Sequence, residues 1–345
     1  MTMLTRRQRA CTRAVPAAAA AALVTAALIA GCGGSGSSLL LYSGQHPLLT
    51  GELVKGFERE TGIQVAVHIN DGLVIADQLL QEGSDSPADV YLTENSPELQ
   101  NLDEHGLLAP VPESVLSQVP AADNSPQGDW VAFALRISAL AYDPARISAS
   151  QLPTSVLALA GPAWKGRIGI APSDSDFPPV VSAVKARYGL VATKAWLAGL
   201  ERNATIYQDD ESVVAAVNRG EIATGIINSY YWFRLRFEIG AKQMHSAVYY
   251  FPNHNAGSVE NISGAAILKA APHRTEAERF LRYIVSAPAQ SLISHSDDFE
   301  YPVRPGVAPN PELPRLSRVS PAVLGPAALG NDQAAVQLIQ AAGLV

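Results

Sequence analysis

Cysteine is nearly absent: two in 345 residues, Cys11 and Cys32. That excludes a disulfide framework, and no CxxC exists for zinc or redox chemistry. A basic surplus is also missing. Acids outnumber bases 32 to 25, which argues against a nucleic-acid partner that would favour a basic face. No HExxH, GxSxG elbow or Walker loop is present, and the seven histidines are scattered with no close pair at ligand spacing. An enzyme is therefore not expected. Repeats are lacking, and the apolar content of 48% excludes collagen-like and disordered classes. The length is ample for a buried core and suggests about two domains.

Long hydrophobic runs are scarce as well. The longest, residues 17–30, has 14 residues: right for a signal h-region and too short to span a bilayer. Arg6, Arg7, Arg9 and Arg13 precede it. It ends in Ile29-Ala30-Gly31-Cys32, which resembles a bacterial lipobox, and a Gly/Ser tether follows at 33–38. The reading is a signal peptide over 1–31, a lipidated Cys32 with its tether over 32–38, and an extracytoplasmic protein anchored to the cell membrane by lipid alone. Removing residues 1–31, with four arginines and no acid, takes the formal charge from −7 to −11. The two Asn-x-Ser/Thr sequons at Asn203 and Asn261 carry no weight in a bacterial lipoprotein.

The rest reads as α/β. Residues 39–43 form a buried strand, 48–60 an amphipathic helix closed by Gly62, 63–69 a strand, 76–82 a helix stopping at Gly83, and 88–93 a strand. Alternation of this kind predicts a parallel sheet with crossover helices. It recurs with a strand at 168–171, helices at 179–188, 194–200 and 211–218, a strand at 224–228 and a helix from Tyr230. Extended segments at 130–142 and 262–268 are candidate crossing strands of a hinge. Helices are expected at 275–286 and 334–342, and a covering loop at 301–314. Lobe 1 is drawn as 39–135 plus about 262–310, and lobe 2 as about 136–261 plus 311–345. An exported lipoprotein with two α/β lobes suggests a solute receptor closing by a hinge.

Four groups follow strand ends, where open α/β sheets bind ligands. His46 follows the first strand, Glu94 the third, and Tyr230 and Tyr231 follow a strand of the second unit. Tyr249-Tyr250 is also a pair, but it lies in an alternating run, 246–251, and reads as strand packing.

The stretches SGQH at 43–46, EGSDSPADV at 82–90, WKGRIG at 164–169, NRGEI at 218–222, INSYYW at 227–232, SGAAILK at 263–269 and EYPV at 300–303 resemble, in order, the periplasmic ferric-ion-binding proteins. These are the iron(III) receptors of ABC importers. The resemblance implies a periplasmic-binding-protein type II fold, with a two-strand hinge and the ligand cleft between two lobes. It implies His46, Glu94, Tyr230 and Tyr231 as ligands of Fe3+, an ABC permease and its ATPase as partners, and a monomer. The chemistry agrees: Fe3+ is hard and prefers anionic oxygen. Two phenolates, one carboxylate and one imidazole would neutralise it. Because free phenol has a pKa of about 10, the metal must displace protons. The competing reading is the same fold binding a polyamine, thiamine or an organophosphonate.

The sequence departs from the family at one turn. Relatives complete the iron shell with an exogenous anion, often phosphate or carbonate, held by small residues at a helix N-terminus. Here the turn is Pro172-Ser173-Asp174-Ser175-Asp176-Phe177. Two carboxylates would repel phosphate. One of them could occupy the anion's place, or one could simply cap the helix. Asn228 matches an anion contact of the family. Arg136 matches an arginine that some relatives aim at carbonate, and it could instead pair with Asp174 or Asp176.

Overall fold

The computed structural model describes residues 38–345. The expected signal peptide, Cys32 and nearly all of the tether lie outside the described residues. The strands are β1 (Leu39–Gly44), β2 (Val65–Ile69), β3 (Val90–Thr93), β4 (Leu108–Ala109), β5 (Trp130–Tyr142), β6 (Ile168–Ile170), β7 (Ala204–Ile206), β8 (Thr224–Asn228), β9 (Ala247–Tyr249), β10 (Glu260–Leu268) and β11 (Tyr301–Pro302). Among the helices, α1 is Pro47–Thr61, α2 Gly72–Glu82, α3 Ser96–Glu104, α4 Glu113–Leu116, α5 Phe177–Asn203, α6 Asp210–Asn218, α7 Ser229–Ile239, α8 Arg274–Ile284 and α9 Ala287–His295. A further helix, Gln333–Ala341, lies near the C-terminus.

The strand path is β2-β1-β3-β10-β5-β8-β6-β7. β1 runs parallel to β2 and β3, and β6 parallel to β7 and β8, as the βαβ pattern predicts. The sheet is nonetheless mixed, because β10 is antiparallel to both β3 and β5, and β5 is antiparallel to β8. β5 changes partner along its length: Trp130 to Ile137 face β10, and Ser138 to Tyr142 face β8. The long crossing strands therefore join two parallel units. All of β5 but its last residue is buried, which explains why only Arg136 and Ser138 interrupt its apolar residues before Tyr142.

Local chemistry sets the ends. Gly62 closes α1 with φ +72°, and its N–H returns to the Glu58 carbonyl. α2 begins four residues earlier than its apolar spacing predicts, because Asp71 caps it by accepting from the N–H groups of Leu73 and Val74. The two helices expected at 179–188 and 194–200 are the two parts of α5, separated by a kink at Gly189, whose φ of +81° is not helical. The expected covering loop at 301–314 begins instead as β11, which pairs with β5.

Candidate functional site

Register brings the predicted residues together. In the β1/β3 pair Ser43 lies opposite Leu92 and Gly44 opposite Thr93, so the chains leave side by side toward His46 and Glu94. β8 and β6 are parallel neighbours, so Asn228 and the 171–176 turn also leave at a common end. Tyr230 and Tyr231 sit in the first turn of α7, directly after β8. Arg136 comes from inside β5, opposite Asn261 of β10.

These side chains meet in one cluster. Glu94 pairs through one oxygen with His46 Nδ1 and through the other with Arg136 Nη1. The Tyr230 hydroxyl lies 3.3 Å from His46 Nε2, 3.4 Å from Glu94 Oε2 and 3.5 Å from Asp176 Oδ2. Asp176 Oδ1 accepts from Arg136 Nη2 at 3.2 Å and from Asn228 Nδ2 at 3.3 Å. Tyr231 packs against Tyr230 with ring centroids 4.0 Å apart and the rings tilted by 33°, and its ring lies 5.8 Å from that of His46. Arg136, at 1% exposure, is a buried cation inside an apolar strand, and two carboxylates flank it.

The two aspartates of the turn do different things. Asp174 accepts from the backbone N–H of Asp176 and of Asp210, both at 3.0 Å, and so ties the turn to the start of α6. Asp176 stands at the N-cap position of α5 but makes no cap hydrogen bond; its carboxylate faces the cluster. Simple capping therefore describes neither. Ser173 is exposed, and the Ser175 carbonyl accepts from Asn95 Nδ2 at 3.2 Å. Tyr249 ends β9 and donates to the Pro153 carbonyl at 3.1 Å, away from the cluster.

Electrostatics follow from this geometry. Burial disfavours the charge of Glu94, but His46 and Arg136 outweigh it and hold the carboxyl at about 2. Burial likewise opposes charge on His46, and Glu94 overcomes it and raises the imidazole. Burial lifts both phenols well above their ordinary range, with Glu94 adding to it for Tyr230 and Asp174 for Tyr231. Asp174 is pushed to about 7 by burial and by Asp176. Asp210, which the sequence reading missed, is raised well above the ordinary carboxyl range by burial and Asp174, and it accepts from the Asn228 N–H at 2.6 Å. Its signal was its place at the start of a helix beside an acidic turn.

Above the cluster opens a cleft of about 640 Å³, bordered by His46, Glu94, Asp174, Glu211, Tyr231 and Arg234. Arg234 lies over the Tyr231 ring at 5.9 Å and 3.3 Å from Glu211. It too was missed, although it lies three residues after Tyr231 on the same helix.

Two α/β units joined by crossing strands, with polar groups gathered at their strand ends, define a two-lobed extracytoplasmic binding protein of the type II fold. Residues 39–296 match the family described as bacterial extracellular solute-binding protein. The chain is 37% identical to the Fe(3+)-binding periplasmic protein of Serratia marcescens, over 89% of this chain and 90% of that one. It is 32% identical to the major ferric iron-binding protein of Neisseria meningitidis serogroup B, over 89% and 93%. The crystal structure of iron-bound HitA from Pseudomonas aeruginosa superposes with a TM-score of 0.85 at 36% identity, covering 89% of this chain and 99% of that one. The chain belongs to the bacterial extracellular solute-binding proteins, within the periplasmic ferric-ion-binding family. This is a family of binders, which agrees with the expectation that the protein is not an enzyme.

Proposed function

We propose that the protein captures Fe3+ outside the cytoplasm and hands it to an ABC permease driven by its ATPase. His46, Glu94, Tyr230 and Tyr231 are its ligands, and Asp176 takes the place that relatives give to an exogenous anion. The observation carrying this reading is the approach of His46 Nε2, Glu94 and Asp176 to within 3.5 Å of one phenol oxygen. Hard oxygen donors with one imidazole suit Fe3+ and suit softer ions poorly. Arg136 and Asn228 hold Asp176 as they would hold a bound anion, so phosphate or carbonate becomes unnecessary. Metal entry displaces phenolic protons, and acid favours release.

The lobes would divide as drawn from the sequence. The partner change of β5 between Ile137 and Ser138 supports a hinge there. Cys32 would carry the lipid anchor. Among the described residues no helix is long and apolar enough to cross a membrane.

Protein loaded with Fe3+ should develop a visible phenolate-to-iron charge-transfer band. Replacing Tyr230 and Tyr231 by Phe should abolish it. A colourless protein that ignores ferric citrate but binds a small amine would overturn the assignment.

A further inference from the structure

Beneath His46 lies a buried pair that the ligand set does not use. Glu300 is fully buried, and its Oε1 accepts from Gln45 Nε2 at 3.0 Å while its Oε2 accepts from Ser263 Oγ at 3.1 Å. The Gln45 amide is thereby oriented. A backbone N–H can only donate, so the amide oxygen must face His46 and the amide nitrogen must face Glu300. That oxygen accepts the backbone N–H of His46 at 2.7 Å and lies 3.3 Å from His46 Nδ1. Both ends of the amide agree on one orientation.

The geometry points to Glu300 and Gln45 as positioning residues that hold His46 with its proton on Nδ1 and its lone pair on Nε2. This rests on the reading of His46 as an Fe3+ ligand. An amide oxygen can only accept, so its contact with Nδ1 is a hydrogen bond only if Nδ1 carries the proton. Nε2, 3.3 Å from the Tyr230 hydroxyl, is then the nitrogen free for the metal. Glu94 also contacts Nδ1. Once Glu94 turns to the metal, Gln45 remains as the acceptor that fixes the ring. Ligating histidines commonly depend on such a partner, whose loss weakens metal affinity by about 10–100-fold.

Full-length protein loaded with diamagnetic Ga3+ reports the tautomer through the histidine ring nitrogens by NMR. The His46 proton should be found on Nδ1; a proton on Nε2 overturns the proposal without any variant. Two variants follow, Glu300→Gln, whose amide permits Gln45 to rotate, and Gln45→Met, which removes the acceptor. Each should bind Fe3+ about 10–100-fold more weakly while keeping the charge-transfer band, because both tyrosines remain. Variants that melt like the wild type and bind Fe3+ equally well overturn the relay and leave the receptor reading intact. A wild type without the band sinks the receptor reading, and the relay with it.

Discussion

Replacing Asp176 by Ala should convert an anion-independent site into an anion-dependent one. The Asp176 carboxylate holds Arg136 Nη2 at 3.2 Å and Asn228 Nδ2 at 3.3 Å. A hydrogen bond to a charged group contributes about 1.5–3 kcal/mol, and a buried donor left unsatisfied costs about 1–3 kcal/mol. Arg136 keeps Glu94, so the lower half of these ranges applies, and the metal-free variant should lose about 3 kcal/mol of stability. Its iron site also loses one anionic oxygen and gains a vacancy lined by a guanidinium and an amide. Phosphate fits that vacancy. By mass action, an anion at 100 times its own dissociation constant contributes about 2.7 kcal/mol, or about a hundredfold in iron affinity. The assay is an optical Fe3+ titration against a competing chelator, with phosphate or bicarbonate stepped from none to saturation. Wild type should give a flat response, Asp176→Ala a weak affinity restored by salt, and Asp176→Asn a weak affinity not restored, since its side chain fills the space. A wild-type affinity that climbs with either salt would refute the reasoning. So would an alanine variant that is both tight and indifferent to salt.

Burial raises Glu98 to about 8, beside Tyr91 and Thr93, which both donate to it. The fold therefore keeps a proton that the unfolded chain releases above about 4.5. This stability is present at low pH and is lost as pH rises from about 4.5 through about 8; Glu98→Gln, an isostere of the protonated form, should flatten that loss in denaturant melts, and an unchanged pH profile would count against it. A Cβ at Gly199 would lie 2.3 Å from Ala160 Cβ and 2.7 Å from its carbonyl oxygen. Gly199→Ala should thus destabilise by about 1–3 kcal/mol despite its better helix propensity, and a raised melting temperature would contradict the packing. Replacing both Tyr249 and Tyr250 by Phe should leave the charge-transfer band unaltered, with the lost Tyr249 bond costing about 1 kcal/mol of stability in a melt; a weakened band would place a metal ligand there.

The βαβ units were legible because their signals are local: an apolar run, a periodic helix and a glycine stop. α3 was not. Its stretch SPELQNLDE is polar, yet Glu98, Gln100 and Asn101 are buried, and only neighbouring elements could dictate that. The insertion of β10 between β3 and β5 was equally hidden, since an apolar segment does not state its direction. At the site, the strand-end rule and motif order found His46, Glu94, Tyr230 and Tyr231. Sequence could not divide the work of Asp174 and Asp176. Two residues apart in an irregular turn, they have no fixed period to tell which one faces inward. Glu300 lay in a quoted motif, but its link to His46 crosses 255 positions to Gln45.

The local charges explain why the acid surplus of the whole chain matters less than one turn of it. Under the proposed ligation, Glu94, Asp176 and two phenolates supply four negative charges, and Fe3+ with Arg136 supplies four positive ones. Without Asp176 the same arginine would leave the closed site with an excess of positive charge, which burial penalises and which an exogenous anion would have to cancel. Without Arg136, Asp176 would sit unpaired against Glu94 in the empty site. The aspartate and the arginine therefore make sense only together, one replacing the anion and the other making that replacement tolerable before iron arrives. Asp174 and Asp210 stay outside this balance: their carboxylates bond backbone N–H groups that shape the turn and the starts of α6 and α7. Under that proposal, a protein that balances its own iron site would need no anion from its surroundings. Its affinity should then follow pH, which sets the phenolic protons, and not the salt in the medium.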